Sequence, residues 1–261
     1  MTDTENTLAY DDAMTELLAG VWGEGYMSPG GDTEVARVVD GLDLTGKRIL
    51  DIGSGMGGAT LYLAGQGATE VVGIDVEAEL QPKSEALAQR RGLADRCTFM
   101  TVEPGPLPFE PKSFDVVFSK DSIIHIADKL ALCTDIFRVL KPGGVFSASD
   151  WLSGYEGEPS LEMAAYIEAE GLGFELASAA TYERAMNDAG FVDIRIEDRN
   201  AWYREEARRE RAVLADEIYD KLAASVDPDF VDHEIGVWDK MIVVLDQGQL
   251  RPTLMRGHKP T

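Results

Sequence analysis

Ile49-Leu50-Asp51-Ile52-Gly53-Ser54-Gly55-Met56-Gly57-Gly58 is an apolar run that breaks into glycines and opens onto the helix-prone residues 58–65. A strand that feeds a glycine turn and then a helix is the first unit of a βαβ fold. Glycine suits the turn because the backbone must bend tightly where a Cβ would clash with a neighbour or a cofactor. Gly53, Gly55 and Gly58 also satisfy G-x-G-x-x-G, a spacing common to several nucleotide-type cofactor sites.

Outward from that loop, short apolar runs alternate with helical patterns. Strands are expected at 48–52, 71–75, 97–102, 114–119 and 144–150, with helices at 58–65, 79–91 and 128–140. Alternation at this interval implies a parallel, doubly wound sheet. Upstream, helical spacing over 9–20 and a second helix capped by Asp32 and running to about residue 41 form an N-terminal helical lid, residues 1–44. Downstream come an acidic helix-prone insert over 157–172, a helix at 181–189, a strand at 191–197, long helices at 205–224 and 229–245, and a last strand near 250–257. No internal repeat or low-complexity linker is evident. The chain divides into the lid and one domain over 45–261, with a cofactor core at 45–152 and an acceptor-side part at 153–261.

The second diagnostic stretch is Val71-Val72-Gly73-Ile74-Asp75, where an acid at a strand end can accept both hydroxyls of a ribose. A nicotinamide cofactor and an adenosyl cofactor would both use it. Composition narrows the partners. With 47 acidic against 24 basic residues the net charge is −23, which repels nucleic acid and anionic membranes and leaves small molecules. A saline or alkaline habitat fits that excess. At 261 residues and 44% hydrophobic content the chain can bury a core. Cys97 and Cys133 lie in apolar contexts and are expected to be buried and inert. No leader-like segment and no apolar run of about 18 residues is evident, so a soluble cytoplasmic protein is expected.

Phe114-Asp115-Val116-Val117-Phe118-Ser119-Lys120-Asp121 and then Leu140-Lys141-Pro142-Gly143-Gly144 complete an ordered set of four motifs from Asp51 to Gly144. In this set the chain resembles the class I S-adenosylmethionine-dependent methyltransferases over at least residues 45–150. The resemblance implies a Rossmann-like α/β fold with a seven-stranded sheet, and S-adenosylmethionine as cofactor with S-adenosylhomocysteine as product. It places Asp51 and the backbone of Gly53, Gly55 and Gly57 at the methionine portion, Asp75 at the ribose, Glu103 at the adenine amino group and Lys120 beside the cofactor. Glu103-Pro104-Gly105-Pro106 departs from the more usual Asp-Ala type at that position.

A narrower resemblance joins Gly23-Glu24-Gly25-Tyr26-Met27-Ser28-Pro29-Gly30-Gly31 to Ser119-Lys120-Asp121-Ser122-Ile123-Ile124-His125. Both look like phosphoethanolamine N-methyltransferases, and residues 121–125 also resemble the sarcosine and dimethylglycine N-methyltransferases that make glycine betaine. Methyl transfer from a sulfonium is an in-line displacement, so an amine must offer a free lone pair. Histidine changes protonation near neutral pH, which suits His125 as the base, with Asp121 four residues earlier to orient the ring. Tyr26, Trp151 and Tyr166 are candidate aromatic faces for a cationic amine. No third ligand stands near Asp121 and His125 at convincing spacing, so no metal is expected.

By a nearly ungapped count from Tyr166, the phosphate-binding arginine of the phosphobase enzymes falls on Glu170, a nearby tyrosine on Leu172 and a site-closing tyrosine on Leu18. A carboxylate at Glu170 would repel a phosphate dianion, leaving Lys240 as one anion contact. The favoured expectation is N-methylation of a small amine or amino acid, with phosphoethanolamine less favoured. The alternatives are transfer to sulfur, carbon or oxygen, a nicotinamide-dependent oxidoreductase using the same glycine loop, and a non-catalytic binding module.

Overall fold

A computed structural model describes residues 12–261; the start of the helix expected over 9–20 lies outside the described residues. The described chain opens with α1 (Asp12–Trp22) and α2 (Gly31–Val38) and then enters the alternating core of β1 (Arg48–Ile52), α3 (Gly58–Gly65), β2 (Glu70–Asp75), α4 (Leu80–Arg91), β3 (Cys97–Thr101), β4 (Phe114–Lys120), α5 (Lys129–Val139) and β5 (Leu140–Ser153). Next come α6 (Leu161–Glu170), α7 (Ala179–Ala189), β6 (Val192–Asp198), α8 (Asn200–Ala212), α9 (Tyr219–Ser225), α10 (Pro228–Asp246) and β7 (Leu250–His258). The seven strands form one sheet in the order β3-β2-β1-β4-β5-β7-β6. β1 to β5 pair in parallel, and β7 runs antiparallel to both β5 and β6, so the sheet is mixed at one side. Strand order reverses between β1 and β4, and open α/β sheets bind ligands outside the carboxyl ends of strands at such a point.

Local chemistry accounts for most boundaries. Ser160, Ser178 and Asp227 cap α6, α7 and α10 through their side chains, and Pro228 opens α10 where its missing N–H costs nothing. Two expectations need correction. Asp32 does not cap α2: Gly30 precedes the helix in the left-handed region, and Asp32 accepts the Tyr26 hydroxyl instead. The single helix expected over 205–224 is interrupted by a π turn at Val213–Glu217, with Ile218 N–H donating to the Val213 carbonyl. That turn inserts one residue and resets which face α9 buries. Cys133 is buried and Cys97 half-buried, and burial pushes their thiols up to about 12 and about 11.

Candidate active site

The glycine loop lies at the end of β1. Gly53 has a φ of +73°, and a Cβ there would sit 1.6 Å from Ser122 Oγ, so the loop passes hard against the turn after β4. A Cβ on Gly55 would meet Met27 Sδ at 2.8 Å, and one on Gly57, at φ +88°, would meet Phe99 and Ser84 at 3.0 Å. Gly55 N–H donates to Asp75 Oδ2 at 2.8 Å, Glu77 N–H donates to Asp75 Oδ1 at 3.0 Å, and Gly58 N–H donates to the Gly25 carbonyl at 2.9 Å. Each Asp75 oxygen therefore keeps a lone pair, which suits the adjacent hydroxyls of a ribose. The amides of Gly55 and Gly58, which a pyrophosphate would need, are bonded within the chain. Asp51 is buried and accepts Thr60 Oγ1 at 2.6 Å; burial pushes its carboxyl up to about 7 against that bond, and the Asp75 charge adds to the rise.

A cavity of about 310 Å³ lies at the ends of β4 and β5. Asp121, His125 and Trp151 form its floor; Trp22 and residues 27–29 of the N-terminal segment close one side, and α6 and α10 supply Tyr166, Glu170, Glu234 and Trp238. Asp121 holds a φ of +55°, rare for a residue with a side chain. Its N–H donates to the Ser149 carbonyl at 2.9 Å, and its carboxylate accepts Ser149 Oγ at 3.0 Å and Lys120 Nζ at 2.7 Å. Lys120 also reaches Ser28 Oγ at 2.5 Å, tying the N-terminal segment to β4. The expected Asp121–His125 pair is thus corrected, because the Asp121 carboxylate is taken by Lys120 and Ser149. His125 ends a 3₁₀ turn, and its Nδ1 lies 2.8 Å from the Gly173 carbonyl. A carbonyl only accepts, so Nδ1 carries the proton and Nε2 of the neutral ring is left as an acceptor.

Asp121, His125, Trp151, Tyr166 and Glu170 thus meet around one cavity. Two acceptor-side candidates, Tyr26 and Lys240, fall away from it. Tyr26 is buried in the cluster with Val35, Val38 and Leu63, beside the start of α3. Lys240 is exposed on α10, because Glu234, Val237, Trp238 and Met241 follow the helical repeat that faces inward. Glu103 is exposed beyond the end of β3. Trp238 lines the cavity as well, as do Trp22, Tyr203 and Glu234, for which the sequence raised no expectation. Behind them, buried Glu210 accepts Trp22 Nε1 and the Tyr203 hydroxyl, each at 2.8 Å. All three acids have a legible signal: Glu210 interrupts the apolar stripe Tyr203, Ala207, Leu214, Glu234 interrupts Val231, Val237, Trp238, and Glu170 continues Met163, Tyr166.

Burial holds Asp51, Asp150, Glu170, Glu210 and Glu234 up to about 7, above ordinary values of 3.8 and 4.5. Between those limits the folded chain binds more protons than the unfolded one, so stability falls as pH rises. These groups stabilise fully below about pH 4, and the benefit is lost as pH climbs through 7. The melting temperature is expected to fall from pH 5.5 to pH 8, with a shallower fall in Glu210→Gln. A flat or rising profile would show these carboxyls ionised in the fold.

Comparison with known proteins accords with this geometry. Residues 50–148 match the family described as "Methyltransferase domain". The chain is 35% identical over 240 residues to a phosphoethanolamine N-methyltransferase of Triticum aestivum, covering 92% of this chain and 46% of that one. It is 30% identical over 199 residues to an O-methyltransferase of Penicillium expansum, covering 72% of this chain and 71% of the relative. Phosphoethanolamine N-methyltransferase 2 of Haemonchus contortus, solved with phosphomonomethylethanolamine and S-adenosylhomocysteine, superposes with a TM-score of 0.90 at 26% identity, over 98% of this chain and 59% of that chain. The chain belongs to the S-adenosylmethionine-dependent methyltransferases, with the class I fold, and is an enzyme that uses S-adenosylmethionine. Within that family its relatives include phosphoethanolamine N-methyltransferases, and it spans less than half the length of the plant ones it matches. Nothing in these comparisons supports the nicotinamide alternative. No helix among the described residues is long and apolar enough to cross a membrane.

Proposed function

We propose that this chain methylates the nitrogen of a small amine that bears no phosphate. The observation that carries the reading is the charge of the cavity wall: Asp121, Glu170 and Glu234 line it, with no lysine or arginine among the described lining residues. Lys120 balances Asp121 from behind, but a phosphate dianion would meet the Glu170 and Glu234 carboxylates without a lysine or arginine in the described lining, at a high desolvation cost. At about 310 Å³ the cavity lies at the small end of ligand sites, which suits a small acceptor. The bound cofactor supplies an electrophilic methyl on a sulfonium, displaced in line. His125 accepts the proton that the nitrogen must lose, Gly173 orients the ring, and Trp151, braced edge-on against Tyr203 at 4.9 Å, offers an aromatic face to an increasingly cationic amine. The lid role of the N-terminal segment, the placing of Asp51, Asp75 and the glycines against the cofactor, and that of Lys120 behind Asp121 belong to the same proposal.

Phosphoethanolamine is the second reading, favoured by the names of the relatives. A screen with methyl-labelled S-adenosylmethionine over glycine, sarcosine, dimethylglycine, phosphoethanolamine, other biogenic amines and methionine separates the two. Label is expected on an unphosphorylated amine, with phosphoethanolamine turned over more slowly. Phosphoethanolamine as the sole acceptor would contradict the reading, as would label on a thioether, oxygen or carbon with every amine inert.

A further inference from the structure

Two carboxylates, Glu170 at the end of α6 and Glu234 on α10, meet across the acceptor cavity. Burial, then the Glu234 charge, raises the Glu170 carboxyl, while the Tyr166 hydroxyl and His233 draw it down; Glu234 is raised by burial alone. The protein offers this pair little compensation. His233 Nε2 faces the Ala169 carbonyl at 3.3 Å, Lys120 is committed to Asp121 and Ser28, and Lys240 points out of the cavity. Two acids in a confined apolar wall, among Tyr166, Phe174 and Trp238, either share a proton or take a cation from outside.

The charge of that pair is unsuited to the reacting nitrogen. An amine held as an ammonium between carboxylates has no lone pair to offer, and carboxylate contact favours the protonated form. His125 enters the cavity from the turn after β4; its Nδ1 is taken by the Gly173 carbonyl, which leaves Nε2 as the acceptor. The cavity thus offers one proton-accepting ring nitrogen and, on α6 and α10, two carboxylates that no lysine or arginine of its described lining balances.

Resting on the amine reading above, we infer that Glu170 and Glu234 form a subsite for a second, non-reacting cationic nitrogen, and that the acceptor is a short diamine. The distal nitrogen keeps its proton and sits between the carboxylates. The proximal nitrogen loses one proton to His125 and uses its lone pair to form the N–C bond as the C–S bond of the donor breaks, giving the N-methylated diamine and S-adenosylhomocysteine. The Glu170–Glu234 pair thereby sets specificity by charge.

The test compares kcat/KM for 1,3-diaminopropane and 1,4-diaminobutane with that for propylamine, butylamine, 3-aminopropanol and sarcosine, using methyl-labelled S-adenosylmethionine. The diamines are expected to exceed the monoamines of equal length by about tenfold or more, mainly through KM. In Glu170→Gln and Glu234→Gln, each checked for folding by its melting curve and for S-adenosylhomocysteine affinity by calorimetry, the diamine-to-monoamine ratio is expected to fall toward one. Monoamines, aminopropanol or sarcosine turned over as well as the diamines would overturn this inference and leave the amine reading standing. A diamine preference untouched by both substitutions would overturn the assignment of the pair. Failure of every amine, with label passing to another atom, would overturn both readings.

Discussion

His125→Ala is expected to lower turnover by about 10²-fold while S-adenosylhomocysteine binds with nearly unchanged affinity. The magnitude is the usual effect of losing a general base, and the selectivity follows from position. His125 lines the acceptor cavity after β4, whereas Asp51, the glycine loop and Asp75, the main proposed cofactor contacts, lie on β1, just after it and at the end of β2. The Gly173 carbonyl fixes Nδ1 as the protonated nitrogen, so the wild-type ring enters the reaction already in its accepting tautomer. Single-turnover rates and calorimetric titration of the variant are the measurements. Unchanged turnover would remove His125 from proton transfer, and a parallel loss of cofactor affinity would give it a structural role instead.

Asp75→Ala is expected to weaken S-adenosylhomocysteine binding by about 10²-fold. The substitution removes the proposed acceptor of the ribose hydroxyls, and hydrogen bonds to a charged group contribute about 1.5–3 kcal/mol each. It also frees Gly55 N–H, which Asp75 Oδ2 holds at 2.8 Å, and so loosens the loop that has to approach the cofactor. Asp75→Asn keeps the shape and one acceptor oxygen, and an intermediate affinity is expected. Retained affinity in Asp75→Ala would show that the ribose is bound elsewhere.

The core of the fold was legible because its signals are local. Arg48–Ile52 reads as a strand from its apolar run, and Gly53 to Gly58 reads as a turn because a Cβ at Gly53 or Gly55 has no room. The acceptor side was harder because it is assembled from distant segments. Asp121 lies four residues before His125 in sequence, yet Ser149, brought alongside by β5, and neighbouring Lys120 claim its carboxylate. Lys240, expected as an anion contact, falls on the outer face of α10, which helical phase alone decides. Glu234 and Glu210 were visible as acids within apolar stripes. What each meets depends on tertiary packing: Glu210 joins Trp22, nearly two hundred positions away, to Tyr203 seven positions away. The π turn at Val213–Glu217 escaped because its residues are ordinary helix formers and the extra residue is accommodated by packing.

Methyl transfer to the nitrogen of an unphosphorylated amine is read by product NMR after turnover with S-[methyl-¹³C]adenosylmethionine. The expected product shows a ¹³C-methyl resonance coupled through nitrogen to a carbon of an amine without phosphate. A methyl bonded to oxygen, sulfur or carbon, or found only on phosphoethanolamine, would contradict it.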